Sequence, residues 1–60
     1  MEILTITELM RLTRIELCEL IRWINGALPD LPEGSVKRRN ALINLCNIRW
    51  VLRRHRDLSP

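Results

Sequence analysis

One stretch of turn residues, Leu28-Pro29-Asp30-Leu31-Pro32-Glu33-Gly34-Ser35, divides the chain into two parts whose apolar residues recur at helical spacing. Proline and glycine this dense stop a helix. Two helical runs joined by so short a connection fold back as an antiparallel αα-hairpin. The runs carry more apolar surface than one hairpin seam hides, so part of it must face outward or meet something else.

Helix starts are written upstream of the hairpin. Thr5-Ile6-Thr7-Glu8 and Thr13-Arg14-Ile15-Glu16 share the Thr-x-x-Glu spacing of a capping box, and each is flanked by a leucine pair, Leu4 with Leu9 and Leu12 with Leu17. In a capping box the Thr hydroxyl accepts an N–H three residues on, while the Glu carboxylate accepts the N–H of the Thr. The pattern predicts a short first helix near residues 6–12 and a second from 14 to about 27, stopped by Gly26 or Pro29. Ser35 is a good N-cap for a third helix over about 36–56, although Arg38 stands where a capping-box acid would sit. Arg53, Arg54 and Arg56 suit the negative end of that helix's dipole. Residues 28–35 form the loop, and residues 57–60 are expected to fray.

The expected fold is therefore all-α: a short N-terminal helix plus a long antiparallel αα-hairpin, forming one small three-helix domain over residues 1–60. At ~1.5 Å per residue the third helix, about 30 Å long, overhangs the second, about 20 Å long. The first helix covers the overhang with Leu4, Ile6, Leu9, Met10 and Leu12.

Projection at ~100° per residue selects the core. Leu17, Ile21, Ile24 and Leu28 form a stripe on the second helix, flanked by Leu20 and Ala27. Ala41, Leu45, Ile48 and Leu52 form its counterpart on the third. Trp23 flanks the seam, with the core as its expected place and a docking anchor as its second reading. Asn40, Asn44 and Asn47 run beside the seam, where the solvent boundary is expected.

A second stripe, Ile43, Cys46 and Trp50, falls on roughly the opposite side of the third helix, bordered by Leu42, Arg39 and Arg53. Either the first helix or a second copy covers it, or it is a protein-docking face with Trp50 as anchor and arginines as rim. Monomer and homodimer both remain open.

A chain of 60 residues buries only ~60% of the surface its unfolded form exposes, so a core this small is marginal and gains from tight packing or a partner. A hydrophobic content of 47% is too high for intrinsic disorder. The N-terminus lacks the pattern of a signal peptide, and no apolar run reaches the ~18 residues of a membrane span, so a cytoplasmic location is expected. Cys18 and Cys46 fit that compartment as free thiols, with a disulfide the lesser reading.

Catalysis is not expected. His55 stands nine residues from Cys46 on one helix, a rise of ~13 Å, and there is neither a phosphate loop nor a metal-ligand cluster, so no cofactor is implied. Glu16 and Glu19 have the simpler role of capping and solvation.

The net charge of +3 conceals an asymmetry. Residues 1–34 sum to −3 and residues 35–60 to +6. Such a division suits an acidic helix beside a basic one, or a basic surface aimed at phosphates or at an acidic protein. Lys37, Arg38, Arg49, Arg54 and Arg56, together with Arg39 and Arg53, make nucleic-acid binding the alternative function. The segment Ile6 to Ile21 has a loose likeness to a helix-turn-helix, but it lacks a turn glycine and its second helix carries phosphate-repelling Glu16 and Glu19.

The blocks Glu8-Leu9-Met10-Arg11-Leu12-Thr13-Arg14-Ile15-Glu16-Leu17-Cys18, Leu31-Pro32-Glu33-Gly34-Ser35 and Asn40-Ala41-Leu42-Ile43-Asn44-Leu45 resemble those of small α-proteobacterial, especially rhizobial, quorum-sensing antiactivators. Those proteins restrain the transfer of integrative and conjugative elements. The resemblance spans nearly the whole chain and implies binding without catalysis. Its implied partner is a LuxR-type, TraR-like transcriptional activator, with an activator of element excision as a second, each held in a stoichiometric complex.

Overall fold

Thr5 and Thr13 each begin a helix as the spacing requires. In a computed structural model, which describes residues 2–58 and side-chain environments through His55, both residues are extended and both capping boxes are closed. The Glu8 N–H donates to Thr5 Oγ1 at 3.1 Å, and the Thr5 N–H donates to Glu8 Oε1 at 3.3 Å. At the second box the Glu16 N–H donates to Thr13 Oγ1 at 3.1 Å and the Thr13 N–H to Glu16 Oε1 at 2.9 Å.

These caps open α1 (Ile6–Met10) and α2 (Arg14–Ala27), and α3 spans Val36–Leu58. The described residues are all-α, with no strand among them. α1 stops at Met10, two residues short of the expected end. Thr13 must be extended to cap α2, so the chain leaves α1 through tight bonds from the Arg11 N–H to the Glu8 carbonyl and from the Leu12 N–H to the Leu9 carbonyl.

Pro29, not Gly26, ends α2. Gly26 is helical, and a short 3-10 turn, Leu28–Asp30, takes over with proline near its start. The Ser35 N–H then donates to the Pro32 carbonyl at 3.2 Å, closing a tight turn with Gly34 at φ +80. A positive φ at the third turn position is where glycine avoids a Cβ clash.

Ser35 caps α3, its Oγ accepting the Arg38 N–H at 3.1 Å. Arg38 has a separate use: its Nη1 donates to the Leu28 carbonyl at 2.9 Å and the Leu31 carbonyl at 3.2 Å. One guanidinium thereby ties the start of α3 to the Leu28 carbonyl, which also accepts the Leu31 N–H at 3.0 Å, and to the Leu31 carbonyl in the connection. At its far end α3 runs to Leu58, two residues past the expected end near Arg56, and Ser59 and Pro60 of the expected frayed tail lie outside the described residues.

α3 packs against both α1 and α2. The core consists of Leu9 from α1, Leu17 and Ile24 from α2, and Ala41, Leu45, Ile48 and Val51 from α3. Leu4, Ile6, Leu12, Leu20, Ile21, Leu28, Leu31 and Leu52 are partly buried around it. The expected seams are therefore present, but they are wider on α3. Val51 and Asn44 lie on the flank of the seam, by projection ~60–80° from Ala41, and both are buried.

Asn44 is the main departure from the expected solvent boundary. Its side chain is 0% exposed. Oδ1 accepts the Leu4 N–H at 2.8 Å and Nδ2 donates to the Glu2 carbonyl at 2.8 Å. Asn47 Nδ2 adds a longer bond of 3.5 Å to the Leu4 carbonyl. The carboxamide engages the N-terminal segment with one donor and one acceptor. That anchor ties Glu2 and Leu4 to the middle of α3, and α1 follows onto the same helix. Met10, expected to help cover the overhang, is exposed.

Candidate functional site

What α1 and α2 leave uncovered decides the candidate site. Both pack on one side of α3, so the opposite side of that helix has no neighbour within the described chain. By projection at ~100° per residue, Arg39, Ile43, Cys46, Trp50 and Arg53 lie within about 80° of one another there, with Leu42 at the margin. Leu42 is 49% exposed and Trp50 45%, Cys46 is exposed, and Ile43 is half-buried. Arg39 and Arg53 are exposed as a rim. The first helix, one of the two expected covers, turns to the other side of α3 and leaves this stripe open.

Val36 belongs to the same face. It is exposed and stands seven residues, two turns, before Ile43. Helical phase alone could have found it, but it was hidden by its place directly after the cap. The face then extends from Val36 to Arg53, about 25 Å at ~1.5 Å per residue.

Trp50 is held by a charged neighbour. The Arg54 guanidinium carbon lies 4.9 Å from the ring centroid, inside the ~6 Å range of a cation–π contact. That contact sets an arginine against the indole on the surface. Tryptophan and arginine are the residue types enriched at the energetic centres of protein interfaces.

The cations proposed for nucleic acid are dispersed in use. Lys37, Arg49 and Arg54 are exposed. Arg38 is half-buried and committed to the Leu28 and Leu31 carbonyls, and the Arg56 side chain lies outside the described residues. From Val36 to Arg56, α3 carries no carboxylate.

One other expectation is corrected. Trp23, expected in the core, is 61% exposed on α2. Its position lies ~100° from the centre of the α2 seam, and α1, which could have reached it, packs on α3 instead. Cys18 and Cys46 are both free and exposed. Among the described residues no group of three or more His, Cys, Asp or Glu could hold a metal ion, and the described surface has no pocket. No described helix is long and apolar enough to cross a membrane. The face is thus an open surface, suited to contact with another surface.

Comparison with protein families, curated proteins and solved structures found no match to this chain.

Proposed function

We propose that the protein is a small protein-binding regulator, an antiactivator that binds and inactivates a LuxR-type, TraR-like transcriptional activator in quorum sensing. The observation that carries this reading is the uncovered apolar and arginine face of α3, centred on Cys46 and Trp50. The family resemblance supplies the class of partner. The partner's apolar groove takes Trp50, Leu42 and Ile43, while Arg39 and Arg53 at the rim set orientation and speed encounter. The role is stoichiometric, and it needs a stable face rather than reactive groups.

Nucleic-acid binding is the less favoured reading. Phosphate recognition needs cations free to reach a backbone, whereas Arg38 is bonded to main-chain carbonyls and Arg54 stacks on Trp50.

The test is a reporter assay in which each LuxR-type activator encoded in the source genome drives its own target promoter, with and without the protein. The expected result is strong inhibition of at least one activator at unchanged activator level. Inhibition of none, together with salt-sensitive retention on duplex DNA, would replace this reading with the alternative.

A further inference from the structure

A second exposed tryptophan lies on a face of opposite charge. On α2, Glu16, Glu19 and Trp23 lie within about 60° of one another by projection, all three exposed, and the nearest cation of the helix, Arg22, falls outside that sector, about 60° beyond Glu19. On α3 the uncovered stripe has the reverse composition, with Trp50 among Arg39, Arg53 and Arg54 and no carboxylate from Val36 to Arg56. The molecule therefore presents an acidic helix face and a basic helix face, each with an indole near its centre and each lacking an intramolecular cover.

We propose that copies of this chain associate head to tail, the acidic Trp23 face of α2 docking on the basic Trp50 face of α3 in the next copy. Spacing supports the match as well as sign. In an antiparallel pair, Trp23 placed beside Cys46 puts Glu16 beside Arg53, because both separations are seven residues, about 10 Å at ~1.5 Å per residue. Glu19 then sits beside Trp50, one turn from Arg53 and within reach of its long side chain. Pairing two α3 faces with each other would instead bring arginine against arginine with no acid to offset them.

The two surfaces differ, so the contact is heterologous and leaves a free face at each end, giving short open chains or a ring instead of a closed two-fold dimer. One helix on one helix buries less than the ~1,600 Å² of a standard stable interface, so association is weak and concentration-dependent. The same α3 face cannot hold a neighbour and an activator at once. Self-association therefore competes with the function proposed above, although it does not depend on it.

Charge reversal tests the pairing in the full-length chain by sedimentation, with circular dichroism confirming the fold of every variant. The wild type is expected to form species beyond a dimer as concentration rises, and to dissociate between 0.1 M and 1 M salt, where the screening length falls from about 10 to about 3 Å. Glu19→Arg and Arg53→Glu alone should each weaken association by tenfold or more. The double variant, in which every copy carries the swapped pair, should recover it.

A wild type that stays monomeric, a loss confined to Arg53→Glu, or a double variant no better than its parents would overturn the proposal. Glu19→Arg leaves the α3 face intact. Its inhibition of an activator therefore reads the proposed function separately, and either reading can fail while the other stands.

Discussion

The side-chain oxygen of Asn44 accepts the Leu4 N–H at 2.8 Å across 40 residues of sequence, while its amide nitrogen donates to the Glu2 carbonyl at the same distance. This one buried residue fixes where the N-terminal segment lies, and so which side of α3 is covered and which is left open. Asn44→Ala is expected to destabilise the fold by about 1–3 kcal/mol, the range for stripping a buried polar contact. In a domain this small each kcal/mol lowers the thermal midpoint by roughly 4–8 °C. Hydrogen exchange at the Leu4 amide should lose its protection in the same variant. Asn44→Asp keeps the acceptor for Leu4 but sets an oxygen against the Glu2 carbonyl, so it should be no better tolerated at neutral pH.

The α2 capping box carries a pH signature. The Thr13 backbone N–H, and secondarily its hydroxyl, hold the Glu16 carboxyl below its ordinary value of 4.5. A carboxyl whose folded pKa is depressed contributes stability that is present above 4.5 and lost as pH falls through the lowered folded value. Denaturation followed across that acidic window should show the loss. Thr13→Ala is expected to cost about 0.5–2 kcal/mol at neutral pH through the lost cap, while Glu16→Gln, which has no carboxyl to titrate, should remove this residue's part of the acid limb.

The two glycines should respond with opposite signs. Gly34 has φ +80, so Gly34→Ala forces a side chain into the left-handed region and should destabilise by ~1 kcal/mol. Gly26 lies inside α2 with nothing within 4 Å of an added Cβ. Gly26→Ala should stabilise by roughly 0.5–1 kcal/mol. Paired thermal melts check both.

Arg38 and Arg49 separate structural cations from surface ones. Arg38→Ala removes the donor to Leu28 and Leu31, and the loss of such charge-assisted bonds should cost about 1.5–3 kcal/mol. Exposed Arg49 changed to Ala should stay within ~0.5 kcal/mol of wild type. Urea midpoints of the two variants make the comparison.

The features legible in the sequence were those encoded locally. Thr5 with Glu8 and Thr13 with Glu16 announce their helices within four residues, and the Leu17, Ile24, Ala41, Leu45 and Ile48 seams follow from periodicity. The Asn44 clamp was not legible, because its partners sit in a segment without periodic pattern, 40 and 42 residues away. Val51 was not legible either: it lies on the flank of the α3 seam and is buried only because elements other than α2 also pack on that helix. Trp23 was expected inside on its hydrophobicity, yet its phase on α2 points away from the seam. The α3 stripe itself could be read from phase, but its being open follows only from where the N-terminal segment lies.

The most direct measurement of the central claim is the affinity of Trp50→Ala for the activator that the wild type inhibits, taken alongside its helicity. The α3 face predicts an unchanged helical spectrum with binding weakened about thirtyfold or more, the ~2 kcal/mol of an interface hot spot. Unchanged affinity in a folded variant, or loss of helicity, would contradict it, the first by moving the docking surface elsewhere and the second by making Trp50 part of the core.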